Sequence, residues 1–128
     1  MSATASPLPT VLSVDDSQVV QKLIQRALVA EYRVLLCGSS VQALSLMNQE
    51  PVEVLLLDVS MPEIDGLDFC RTVRSIPQFQ ALPIVMLTAR GSSFDKVQGR
   101  LAGATEYLTK PFDAEQLRQI IRSLIKTK

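Results

Sequence analysis

The chain has 128 residues, of which 47% are hydrophobic and 20% charged, the size and apolar content of one domain with a real core. Thirteen Lys and Arg balance thirteen Asp and Glu, which removes the long-range field that a general nucleic-acid binder uses to gather phosphates. Histidine is absent, which excludes a Ser-His-Asp triad, a Cys-His pair, imidazole metal ligands and a phosphohistidine formed on this chain.

Met1 to Pro9 has neither a basic start nor an apolar centre, so it reads as a short disordered leader, not a signal peptide. Residues 10–128 then form the domain. Val11 to Val14 is a short apolar strand stopped by Asp15-Asp16. From Ser17 to about Ala30, Val20, Leu23, Ile24, Ala27 and Leu28 recur at helical spacing. Arg33 to Cys37 is a second strand, and Gly38 turns out of it. Leu44 and Met47 mark a helix ending near Glu50-Pro51, because the residue before proline is pushed out of helical geometry.

Val52 to Leu57, interrupted only by Glu53, reads as a strand covered on both faces. A loop with Pro62 and Gly66 leads to a helix marked by Leu67, Cys70 and Val73, which Pro77 closes. Ile84 to Leu87 is the fourth strand. Phe94, Val97 and Leu101 predict the apolar stripe of a short fourth helix weakened by Gly99. Glu106 to Thr109 is the fifth strand. Asp113 is a good N-cap for the last helix, whose apolar face is Leu117, Ile120, Ile121, Leu124 and Ile125. Lys126 and Lys128 suit its C-terminus.

Strands alternating with helices predict an α/β fold of βαβ units: a doubly wound, five-stranded parallel sheet with five helices. Cys37 and Cys70 stand alone, with no CxxC, and read as core thiols of a reducing compartment. No apolar run approaches the ~20 residues that span a bilayer, so the expected location is cytoplasmic, with no membrane partner.

Ligands of open parallel sheets bind beyond the carboxyl ends of the strands, where strand order reverses. Asp15 and Asp16 follow the first strand, Asp58 ends the third, Thr88 the fourth, and Lys110 follows the fifth. Taken singly, each has a plain explanation: a helix cap, a turn residue, a solvated charge. Together they set three carboxylates, a hydroxyl and an ammonium at one sheet edge. Three carboxylates and one Lys leave two uncompensated negative charges, which suits a hard divalent ion such as magnesium. Neither GxxxxGK[ST] nor GxGxxG occurs, so no nucleotide cradle competes. A carboxylate nucleophile forming an aspartyl phosphate fits this set.

Val14-Asp15-Asp16-Ser17, Leu57-Asp58 with Met61-Pro62 and Gly66, Leu87-Thr88-Ala89, and Tyr107-Leu108-Thr109-Lys110-Pro111-Phe112 resemble the signature of two-component response-regulator receiver domains. The resemblance spans about Val11 to Ile125 and points to a stand-alone, CheY-like receiver of flavodoxin-like fold, strand order 2-1-3-4-5. It implies Asp58 as phospho-acceptor and Mg2+ held by Asp16 directly, by Asp15 mainly through water, by Asp58 and by the backbone carbonyl of Ser60. Lys110 and Thr88 would hold the phosphoryl group, and Tyr107 would be the aromatic switch. Lys110-Pro111 would be a cis peptide, and Ala89 would leave the acyl phosphate accessible. Ser60 and Arg90 would tune its lifetime.

The implied partners are a sensor histidine kinase or histidine phosphotransfer protein, and an output protein. The output partner would meet the fourth helix, fifth strand and fifth helix, a surface that contains Lys96, Arg100, Tyr107, Arg118 and Arg122, although ordinary helix solubility also explains those charges. The chain would be a monomer or weak homodimer with no nucleic-acid partner, catalysing only its own phosphorylation and dephosphorylation. Phe94 to Tyr107 also resembles receivers of twitching-motility and phototaxis chemosensory systems. Two other readings of the residues are a magnesium-dependent phosphohydrolase and a flavodoxin-like electron carrier. The first lacks the DxD spacing and cap of haloacid-dehalogenase phosphatases; the second lacks Trp and a hydroxyl-rich phosphate loop.

Overall fold

The computed structural model describes residues 8–59, 66–89 and 96–125. Five strands, β1 (Thr10–Val14), β2 (Arg33–Cys37), β3 (Val54–Asp58), β4 (Ile84–Ala89) and β5 (Glu106–Lys110), form one parallel sheet in the order β2-β1-β3-β4-β5. Between and after them run α1 (Gln18–Leu28), α2 (Ser40–Gln49), α3 (Gly66–Ser75), α4 (Lys96–Ala102) and α5 (Ala114–Leu124). None of these helices is long and apolar enough to cross a membrane.

Alternation along the strands splits the core into two layers, since successive side chains point to opposite faces. Val11, Val54, Leu56, Val85, Leu87 and Leu108 pack against Ile24 and Leu28 of α1 and Leu117 and Ile121 of α5. Leu12, Val14, Leu55, Leu57, Ile84 and Met86 pack against Met47, Phe69, Cys70 and Val73 from α2 and α3 and Ala102 from α4. Both cysteines are buried free thiols.

β3 starts at Val54, two residues later than its apolar run suggests. Its neighbours set this limit. Pro9 and Pro83 precede β1 and β4, and a proline has no N–H to extend a ladder. Only their carbonyls take part, Pro9 accepting from Arg33 and Pro83 from Leu55. A turn of 3-10 helix at Pro77–Phe79 adds an element that the sequence reading passed over, seating Phe79 in the core.

The fourth helix corrects the sequence reading. Val97 and Leu101 are 65% and 75% exposed, whereas Gly99 and Ala102 face inward. Arg74 of α3 packs against the C-terminal end of this helix. Its guanidinium donates to the carbonyls of Gly103 (2.9 Å) and Phe79 (2.8 Å) and to Thr105 Oγ1 (3.3 Å). Gly103 sits at φ +111°, and a Cβ there would lie 2.5 Å from Arg74 Cγ. The apolar spacing of Val97 and Leu101 therefore marks an outer face.

A second correction concerns α5. Arg118 donates to the carbonyl of Ala27 and Arg122 pairs with Glu31 at 2.9 Å, so both point toward α1. The α5 side next to β5 carries Gln116, Gln119, Ile120 and Ser123 instead. Asp113 caps α5 as expected, in a capping box with Gln116. The leader up to Pro7, Ser60, Met61, Pro62, Arg90, Phe94, the side chain of Lys96, Lys126 and Lys128 lie outside the described residues.

Candidate functional site

The strand order reverses between β1 and β3, which places the end of β1 beside the end of β3. Val14 pairs with Leu57, so Asp15 and Asp58, the next residues, emerge side by side. Oxygens of Asp15, Asp16 and Asp58 lie within 4.8 Å of one another. Asp15 and Asp58 are each 2% exposed, while Asp16 faces solvent.

Lys110 ends β5, two strands from β3, and its register partner on the intervening β4 is the small Ala89. Its side chain reaches back to Asp15 Oδ2 at 3.0 Å and Asp58 Oδ2 at 3.2 Å. The Lys110-Pro111 peptide is cis. Thr88 is 4% exposed on β4. Register places Tyr107 beside Met86 and Thr109 beside Thr88, so Tyr107 shares a sheet face with Thr88. Tyr107 is half-buried, and the guanidinium of Arg100 stands 5.2 Å from its ring centroid.

At the start of the loop after β1, Asp15 is held through both its backbone and its carboxylate. Asp15 N donates to the Cys37 carbonyl, and Asp15 Oδ1 accepts from Ser17 N at 2.9 Å. Ser17, not either aspartate, caps α1. At the other end of the site, a Cβ on Gly66 would lie 2.8 Å from Val59, so only glycine lets α3 start so close to the end of β3.

Burial pushes the Asp15 carboxyl above its ordinary range, with Asp58 adding to the rise; the bonds from Ser17 and Lys110 offset only part of it. Burial works against the charge of Lys110, but its bond to Asp15 and the charges of Asp58 and Asp15 together hold its pKa above the usual value. The asymmetry has a simple cause. Lys110 pairs with two carboxylates, whose attraction outweighs its burial, whereas for Asp15 burial outweighs the bonds that lower it. A cluster of hard oxygen donors with surplus negative charge fits a magnesium ion, and the residues present are suited to hold one.

The structure thus brings together Asp15, Asp16, Asp58 and Lys110, and sets Thr88 and Tyr107 on one neighbouring face. The sequence reading missed Gln21, a buried polar residue of α1 bonded to Ser13, Asp15 and Cys37. Its signal was present: a glutamine three and seven residues before Ile24 and Leu28 occupies the buried stripe.

The model of the response regulator receiver domain matches residues 11–122. The chain belongs to that family. It is 42% identical over 117 residues to the response regulator MprA of Mycobacterium leprae, covering 91% of this chain and 50% of that protein. It is 34% identical over 123 residues to Rre1 of Synechocystis, covering 94% and 53%. The chain therefore spans about half the length of these curated relatives. Among solved structures, the chemotaxis response regulator CheY4 of Vibrio cholerae superposes with a TM-score of 0.84 at 33% identity, covering 92% of this chain and 99% of that one. The protein is a CheY-like receiver of phosphorylation-based, two-component signalling, which sets aside the phosphohydrolase and electron-carrier readings. Receivers of this family work with Mg2+, histidine kinases and output proteins.

Proposed function

We propose that Asp58 accepts a phosphoryl group from a histidine kinase or histidine phosphotransfer protein and that the modified domain engages an output protein. The observation that carries this reading is Asp58 itself: a buried carboxylate at the strand-order reversal, 3.2 Å from the Lys110 ammonium and grouped with two further carboxylates. A carboxylate oxygen of Asp58 attacks phosphorus, and the donor imidazole leaves with the bonding electron pair. Asp15, Asp16, Asp58 and the Ser60 carbonyl would hold magnesium, which supplies positive charge against the phosphoryl oxygens in the transfer.

Lys110 would transfer its contact from Asp58 to the phosphoryl oxygens, and Thr88 would donate its hydroxyl to them. Tyr107, on the same sheet face as Thr88, would follow that movement. The responding surface is the α4-β5-α5 face. Val97, Arg100 and Leu101 are exposed on it, and α5 contributes mostly neutral side chains. The domain would work in the cytoplasm as a monomer or weak homodimer, catalysing only its own phosphorylation and dephosphorylation. A pathway in motility or taxis is supported by the resemblance of Phe94–Tyr107 to such receivers and by the likeness to a chemotaxis response regulator.

Incubation with acetyl phosphate and Mg2+, followed by intact-mass and peptide mapping, should show a single labile adduct on Asp58. Asp58→Asn should abolish it. A stable adduct on Asp15 or Asp16, or undiminished labelling of Asp58→Asn, refutes the assignment.

A further inference from the structure

The core-facing stripe of α1 consists of Gln21, Ile24, Ala27 and Leu28, and only the first is polar. A leucine at position 21 would continue the apolar layer that its neighbours form with α5 and the sheet. The glutamine is 8% exposed, and every polar atom of its amide is used. Oε1 accepts from Ser13 Oγ at 2.6 Å. Nε2 faces the carbonyls of Ser13 (3.2 Å), Asp15 (3.1 Å) and Cys37 (3.1 Å). Carbonyls only accept, so the nitrogen must occupy that end of the amide.

Those three carbonyls lie within one residue of the last paired residues of β1 and β2, Val14 and Cys37. One of them has particular consequences. The Asp15 carbonyl belongs to the peptide group that joins Asp15 to Asp16. Fixing its direction fixes the plane of that peptide, and with it the line along which Asp16 leaves the backbone. The rest of Asp15 is already tied, through its N–H to Cys37 and its carboxylate to Ser17 and Lys110. Asp16 is solvent-exposed, so no core packing aims its carboxylate. The bond from Gln21 bears directly on the peptide before it.

We infer that Gln21 is a positioning residue for the divalent-ion site: by bonding the Asp15 carbonyl it sets the relative placement of the Asp15 and Asp16 carboxylates. The inference rests on the proposed magnesium-dependent reading of this cluster. Groups that hold metal ligands in place typically change metal affinity about 10–100-fold when lost. Gln21 acts through a backbone carbonyl, so the lower end of that range is expected.

The test compares wild type, Gln21→Met and Ser13→Ala. Methionine keeps length and volume but removes the donor. Ser13→Ala removes the bond at Oε1 and leaves Nε2 on its carbonyls. Mg2+ binding to the folded proteins is measured by calorimetry, and labelling by acetyl phosphate is measured against Mg2+ concentration. Gln21→Met should raise the Mg2+ dissociation constant roughly tenfold and shift half-maximal labelling to correspondingly higher Mg2+. Its rate at saturating Mg2+ should stay near that of wild type. Ser13→Ala should melt lower yet bind Mg2+ within about twofold of wild type.

Unchanged Mg2+ affinity in Gln21→Met overturns the inference, as does an equal loss in Ser13→Ala, which would indicate general loosening. A second measurement needs no variant. The Gln21 side-chain amide protons in wild type should exchange slowly and shift on Mg2+ addition, whereas fast exchange and no shift overturn it. Wild type that neither binds Mg2+ nor labels would instead overturn the proposed function, so the two failures are distinct.

Discussion

Replacing Lys110 by methionine keeps the stem of the side chain and removes a cation that pairs with both Asp15 and Asp58. At an effective dielectric of about 20, a unit charge 3.0–3.2 Å from each carboxylate attracts it by about 5 kcal/mol before desolvation is counted. The same arithmetic gives about 3 kcal/mol of repulsion between two carboxylates at the outer limit of 4.8 Å. The Lys110 side chain is 19% exposed and those of Asp15 and Asp58 are 0% and 3% exposed, so solvent screens little of this. Breaking a buried pair from one side costs about 3–5 kcal/mol. For a chain of 128 residues, that is a fall of roughly 10–20 °C in melting temperature at pH 7.

The pH dependence distinguishes this charge argument from mere loss of packing. Asp15 already binds its proton more tightly folded than unfolded, so its charged form opposes folding at neutral pH. In Lys110→Met that opposition grows, and it should lift as pH falls and the carboxylate takes up a proton. Lys110 has the opposite sign. Its folded pKa is raised, so its contribution is fully present below about pH 10.4 and is lost as pH rises through the folded value. Calorimetric melts without metal at pH 5, 7 and 10.5–11 should show the variant's deficit greatest near neutrality and smaller at both ends. A deficit constant across all three, or below about 1 kcal/mol at pH 7, refutes the reasoning.

Magnesium at ten times its dissociation constant should stabilise the fold by about 1.4 kcal/mol, roughly 5 °C in a melt. Asp16→Asn should melt higher than wild type without metal and respond less to it; a wild-type melt unmoved by millimolar Mg2+ counts against the site. Beryllofluoride, a phosphoryl mimic, with Mg2+ should tighten binding of an output partner by about 5–150-fold and shift the ring resonances of Tyr107, with buried Tyr32 as the reference. Thr88→Ala should accept the phosphoryl group but lose most of that gain; normal signalling by this variant would remove Thr88 from the switch. Gly103→Ala places a Cβ at positive φ against Arg74, and chemical denaturation should register a loss of about 1–3 kcal/mol.

Much of this protein is legible without coordinates because its elements announce themselves locally. Alternating apolar runs and helical stripes mark five strands and five helices, and a parallel sheet must put the strand ends on one edge. The order of Asp15, Asp16, Asp58, Thr88 and Lys110 along the chain then suffices to gather them. Asp113 acts on the helix that it precedes, so its role is also local.

What periodicity could not decide is which neighbour an element meets. Val97 and Leu101 have helical spacing, yet α4 turns Gly99 and Ala102 inward and leaves those two exposed. Arg118 and Arg122 are ordinary surface charges in sequence, and only the packing of α5 on α1 directs them to Ala27 and Glu31. The spacing of Gln21 puts it on the buried stripe, but only β1 and β2 bring the three strand-end carbonyls that its amide meets. The strength and sign of each charge in the site also belong to the tertiary structure. Burial and the reach of Lys110 across β4 set them, and both depend on contacts between residues as many as 95 positions apart.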